Sequence, residues 1–218
     1  MAIQINGNGT ITGINVGGLP DGIVDTDMIA ANAVATAKIA DNAVTSAKST
    51  GLGGVSEADH WRLNNSESYS AHQGWNWGNA NIVLDNYWER VDNNFSMVGS
   101  GMTESSGVFT FPSTGIYLIS YFITGRSNNA SSDHISFQIE LSTDSGSNWT
   151  ILTTPHCNGN QPHGSLAYWH GHQQALVDIQ NASTYRMRFN FEPVQPLILS
   201  GHSTTTYTGA SFIKLGDT

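Results

Sequence analysis

Between Gly107 and Tyr121 the chain reads GVFTFPSTGIYLISY, and no other stretch restricts its fold as much. Val108 and Thr110 alternate with Phe109 and Phe111, the period-2 pattern of a strand with one buried face. Pro112 has no N–H to give a ladder, so it ends that strand. Pro112-Ser-Thr-Gly115 supplies a turn, in which Gly115 can take positive φ at no steric cost. Ile116 to Ile123 is almost wholly apolar and aromatic, as a central strand would be. Two strands this close in sequence are expected to form a hairpin.

The rest of the region after Val55 repeats the theme. Asp59-His-Trp61-Arg-Leu63 begins the first strand, and Ser66 to Asn79 is expected to be a long loop. Ile135-Ser-Phe137-Gln-Ile139-Glu-Leu141 alternates as a half-exposed strand. Thr143 to Asn148 turns, and Trp149-Thr-Ile151-Leu152 returns. Gly125 to Ser132 and Pro155 to Ser165 read as loops. Leu166 to His172, Ala175 to Ile179, Tyr185 to Phe191, Leu197 to Leu199 and Gly209 to Leu215 read as further strands. Short strands with frequent turns and no helical stretch predict an all-β sandwich or jelly roll, occupying residues 54–218.

The first 53 residues are built differently. Ile3, Ile5 and Ile11 flank an Asn-Gly-Asn-Gly turn, predicting a short hairpin or an arm that pairs with another chain. A ten-residue repeat follows over 22–51: GIVDTDMIAA, NAVATAKIAD, NAVTSAKSTG. Val24, Val34 and Val44 hold one position; Ile29 and Ile39 hold another. A unit with so little apolar surface cannot repay its own ordering entropy. It is therefore either an Ala-rich linker or, as the favoured reading, an arm that winds around identical copies and hides Val and Ile on a shared axis. Recurrent Thr, Val and Asn argue against a lone helix, and Gly51-Leu-Gly-Gly54 would stop one.

Charged residues make up only 11% of the chain; Asn, Ser, Thr and Gly take their place, as on many extracellular and virion β-proteins. With 8 Lys+Arg against 17 Asp+Glu, the net charge of -9 leaves nothing to neutralise a row of phosphates, so no nucleic-acid partner is expected. The single cysteine, Cys157, excludes a disulfide framework and a Cys-rich zinc site. No secretory signal and no membrane-length apolar run is visible, which predicts synthesis in a cytoplasm without membrane insertion.

Val91, Asn93-Asn94 and Phe95, then Gly107-Val-Phe-Thr-Phe-Pro112, Gly115-Ile-Tyr117 and Tyr207-Thr-Gly-Ala-Ser-Phe-Ile-Lys-Leu215 together resemble the globular head of complement-type and tumour-necrosis-factor-like proteins. That resemblance runs from about Ala80 to Leu215 and implies a jelly roll that forms a homotrimer. The front of the chain is similar to virion proteins and tail fibres of bacteriophages, especially marine ones. This second resemblance rests on Ile11-Thr-Gly-Ile-Asn-Val-Gly-Gly-Leu-Pro-Asp-Gly-Ile-Val24 and the Asn-Ala-Val-x-x-Ala-Lys repeats. It implies localisation in a virion, made in the host cytoplasm and released by lysis.

Little in the sequence carries chemistry. His156, His163, His170 and His172 form a histidine-rich run. His170-Gly-His172 would put two imidazoles on one strand face, where they could chelate a transition metal, with Asp178 near in space. The plainer reading is polar aromatic side chains on a surface, and no metal or cofactor is expected. Cys157 beside His156 lacks the geometry of a nucleophile pair. Asp85, Glu89, Asp92, Glu104, Asp133 and Glu140 could supply a glycan-cleaving pair only if the fold converged two of them. Asp21, Asp25 and Asp27 lack the calcium-loop pattern and are expected to hydrate the arm. Trp149 and Trp169 belong in the core or a trimer seam, as do Tyr117, Tyr121 and Phe189. Trp75 and Trp77 sit in a loop, where they would stack on a sugar or bury against a neighbouring subunit; His163 is a further candidate receptor contact.

These readings converge on a non-enzymatic, trimeric virion protein. Residues 1–53 would anchor it to other virion proteins and the head would meet a host-surface glycan or protein, as in a tail fibre or spike. The alternative is a capsid decoration or head-fibre protein that grips and stabilises the shell.

Overall fold

Phe109 and Phe111 both turn inward, and so do Tyr117 and Tyr121 of the segment after Pro112, so the two segments face each other across a core. The computed structural model describes residues 4–5, 11–12, 34, 39, 54–69, 82–127, 131–160, 167–193 and 196–218. The chain divides into two compact units, Met1–Leu52 and Gly53–Thr218. In the first, β1 (Gln4–Ile5) pairs antiparallel with β2 (Ile11–Thr12).

The second unit contributes β3 (Ala58–Leu63), β4 (Glu67–Tyr69), β5 (Ile82–Val83), β6 (Trp88–Arg90), β7 (Met97–Val98), β8 (Thr103–Ser105) and β9 (Val108–Thr110). Five longer strands carry most of the ladders: β10 (Gly115–Ser127), β11 (Ser131–Ser142), β14 (Ala167–Ile179), β15 (Arg186–Pro193) and β17 (Gly209–Gly216). Shorter strands, β12 (Thr150–Thr153), β13 (His156–Asn160) and β16 (Leu197–Leu199), flank them.

Four nested antiparallel pairings define the topology. β3 pairs with β17, β9 with β15, β10 with β14, and β11 with β12 and β13. The outermost and third pairs lie in one sheet, ordered β14-β10-β17-β3-β6, with β16 and β4 continuing beside β10. The second and fourth lie in the other sheet, ordered β12-β11-β15-β9-β8. First strand to last, with successive pairs nested inside, is the jelly-roll arrangement.

The core is aromatic. Phe109 packs edge-on against Trp61 and Trp88, with ring centroids 5.4 and 5.1 Å away. It also lies 5.5 Å from Phe189 and 5.2 Å from Phe212, so one ring ties both sheets together. Tyr121 joins through Phe189 at 4.8 Å and Phe137 at 5.7 Å. Such offset and T-shaped contacts suit the ring quadrupole.

Several expectations are corrected. Val108–Thr110 and Gly115–Ser127 do not form a hairpin: β9 pairs with β8 and β15, whereas β10 belongs to the opposite sheet. The Pro-Ser-Thr connection crosses the sandwich, because Phe111 packs on Tyr117 at 5.0 Å across the core. Ile135–Leu141 is not half-exposed. The outward Ser136, Gln138 and Glu140 are as buried as their inward neighbours. Glu192, Thr154 and Arg188 bond over them. His156–Asn160, expected as loop, is a strand on the edge of β11, and Glu67–Tyr69, also expected as loop, pairs with β16. The expected loop from Gly125 to Ser132 is strand at both ends, through Ser127 and from Ser131. The segments from Leu166 and from Ala175 are one strand, continuous through Gly171, where an added Cβ would strike the Phe137 ring.

Candidate functional site

Alternation in β10 and β14 generates two faces, and the outward one is unusual. Inward side chains of β10 are buried at every second position from Gly115 to Ser127. The outward ones are Ile116, Leu118, Ser120, Phe122, Thr124 and Arg126. Register places them opposite Asp178, Leu176, Gln174, His172, His170 and Tyr168 of β14. On the other flank, Leu118 faces Ile213 and Ser120 faces Ser211, which in turn lie opposite Ala58 and His60 of β3.

Leu176 is 66% exposed, Tyr168 64% and Ile116 40%, while β10 and β14 carry on this face only Arg126 and Asp178 as charged groups, at opposite ends. Leu176 and Ile116 gather beside Leu118 at one end and Tyr168 stands at the other, and large exposed apolar side chains on a charge-depleted sheet face are what an association surface presents. Arg62 also points outward, but it is sealed at 0% exposure by Glu89 at 3.1 Å, Asp92 at 2.7 Å and Asn93 at 2.7 Å. β14 adds a second signal. It is a 13-residue strand with no ladder partner on its outer edge among the described residues. It has no Lys and no Pro, the usual guards of a free edge.

The predicted site residues fall in three groups. Tyr117, Tyr121, Trp169 and Phe189 are 1%, 0%, 3% and 0% exposed inside the sandwich of a single chain, so other side chains have to supply any seam. His170 and His172 lie on the outward face of β14, exposed and on the same side, with His170 Nδ1 3.1 Å from Thr124 Oγ1. Among the described residues no three His, Cys, Asp or Glu side chains converge to hold a metal ion. Of the arm positions, Val34 and Ile39 are exposed. Val24, Ile29 and Val44, and likewise Trp75, Trp77, His163 and the acidic positions 21, 25 and 27, lie outside the described residues.

The carboxylates considered for catalysis have structural occupations. Glu89 and Asp92 hold Arg62, and Glu140 holds Arg188 beneath the Trp149 ring. Glu104 accepts the Gly107 N–H at 2.7 Å, and burial raises its carboxyl above the ordinary value. Asp85 accepts from Asn86 at the surface. The Asp133 side chain lies outside the described residues. Sequence reading missed Asp59, 2% exposed, which accepts from Trp61 Nε1, the Arg90 guanidinium and the Met102 N–H. Its place in the same period-2 row of β3 as Trp61 and Leu63 was the available signal.

No family model and no curated protein matches the sequence. Solved structures do. Murine APRIL at pH 5.0 is 14% identical, with a TM-score of 0.49 over 73% of this chain and 98% of that one. Murine APRIL at pH 8.5 gives 14% and 0.45 over 73% and 98%. The Eiger TNF of S. frugiperda gives 14% and 0.47 over 74% and 93%. The nested strand pairing, not these likenesses, defines the fold.

Proposed function

We propose that this chain is a non-enzymatic structural protein that assembles as a homotrimer through the outward face of β10 and β14. The observation carrying the assembly is that face: Leu176, Tyr168 and Ile116 exposed around a centre without formal charge. Burying such side chains is worth ~25 cal/mol per Å² of apolar surface, and three copies bury three faces. Val34 and Ile39 stand exposed in the arm, and the repeat gives every chain the same apolar positions to share with its copies.

The setting we infer is a virion. Residues 1–53 are the anchoring arm and 54–218 the head, and the protein serves as a tail fibre or spike that presents the head to a host surface. The phage-like sequence from Ile11 to Val24 and the repeats that follow support this reading. Immunogold microscopy of phage particles carrying the protein, with antibody to 54–218, tests it. Gold at the tail is the expected result. Gold spread over the capsid would make it a decoration protein instead, and no particle-bound gold would overturn the virion reading.

A further inference from the structure

Three histidines lie on the outward side of the sheet through which assembly is proposed. His170 and His172 are exposed on β14, and His60 stands half-buried on β3, in the row of Ser120 and Ser211. The His60 ring lies 5.9 Å from the Phe122 ring, and Phe122 is directly opposite His172. His60 Nε2 is covered and has no hydrogen-bond partner among the described residues. We propose that assembly through this face is gated by pH, with His60, His170 and His172 neutral in the trimer and their protonation driving the subunits apart. The inference rests on the trimer reading and names its regulation.

The groups around these rings decide the sign. Phe122, Ser120, Ser211 and Thr124 face them and carry no charge. Asp59, next to His60, is already committed to Arg90 and to the Trp61 and Met102 N–H groups. Arg62 is committed to Glu89 and Asp92. Arg126 stands at one end, where it opposes further positive charge, and Asp178 stands at the other, opposite Ile116. No carboxylate on this face of β10 or β14 lies opposite a histidine to offset an imidazolium.

Burial already lowers the His60 imidazole below its ordinary value, outweighing the Asp59 charge. Packing a second copy over the face would desolvate all three rings and so disfavour their charged forms. The assembled state then binds fewer protons than the free chains. The histidines' contribution to trimer stability is fully present above the ordinary imidazole value of ~6.5 and fades as pH falls, that of His60 from a lower pH because burial in the single chain already lowers it. Each proton excluded on assembly contributes up to about tenfold in association per pH unit.

The test is sedimentation velocity of the full chain at micromolar concentration at about pH 7.5 and about pH 5, with circular dichroism to follow the fold. A trimer at the higher pH and a folded monomer at the lower is expected, with His60→Gln/His170→Gln/His172→Gln remaining trimeric at both. A wild-type trimer at both pH values would overturn the gate and leave the trimer reading standing. A monomer at both would overturn the two together. Dissociation of the triple variant alongside wild type, or unfolding of both at low pH, would overturn the histidine assignment. Because replacing half-buried His60 can itself disturb the head, His170→Gln/His172→Gln is measured in parallel. It is expected to move the dissociation midpoint to lower pH, and an unmoved midpoint would overturn the proposal.

Discussion

Phe109 shows how much of this fold depends on single side chains. It is fully buried and meets Trp61, Trp88 and Phe212 of the opposite sheet and Phe189 of its own. Phe109→Ala would leave a cavity that rigid neighbouring rings cannot fill, so a loss of about 3–5 kcal/mol in urea unfolding is expected. A loss under about 1 kcal/mol would mean that the core relaxes around the gap. Cys157 offers a gentler probe. Half-burial among apolar groups pushes its thiol up to about 11. The thiolate is the reactive form, so at pH 8 disulfide-reagent labelling should run roughly a hundredfold slower in the folded protein than in urea. Equal rates would show that the thiol is open to solvent. Asp144 works in the opposite direction: Asn148 and Ser142 donate to it and hold its carboxyl at about 2. Its contribution to the 143–148 turn is complete above the ordinary carboxylate range and fades as pH falls from there to about 2.

At the scale of elements, the crossing from β9 to β10 sets the jelly roll apart from a meander. The chain must leave one sheet at Phe111 and enter the other at Gly115, whose φ of 141° is one L side chains rarely adopt. A Cβ there would approach the Gly216 carbonyl oxygen at 2.6 Å. Gly115→Ala is therefore expected to cost about 1–3 kcal/mol, read as a lowered melting temperature, and an unchanged melt would remove Gly115 from the account. The same crossing marks the limit of what sequence could reveal. Alternation exposed β3, β11, β15 and β17 to within a few residues, because one buried face writes a period of two. Which sheet a strand joins is a non-local matter, and the Pro-Ser-Thr-Gly turn looks the same in a hairpin and in a crossing. β13 was hidden because His-Cys-Asn-Gly-Asn has loop composition. The covered outer face of β11 was hidden because Ser136, Gln138 and Glu140 read as solvent-facing until Glu192, Thr154 and Arg188 are placed over them. The histidines of the candidate face were visible at His170-Gly-His172. His60 joins them only once β3 lies beside β17.

For the whole molecule, the division between Leu52 and Gly53 separates a repeat-bearing segment from a head whose described core is built from residues after Val55. Residues 54–218 alone are expected to melt cooperatively, followed by circular dichroism; a broad, non-cooperative melt would make the arm part of the core. The head alone leaves Leu176, Tyr168 and Ile116 in water, together with the outer edge of β14. Association of copies answers both exposures at once. The direct measurement is light scattering on the full chain at micromolar concentration, beside Leu176→Asp. Three times 23.4 kDa is expected for the native chain and 23.4 kDa for the variant. A native chain that runs at 23.4 kDa, or a variant that keeps the native mass, would contradict assembly through that face.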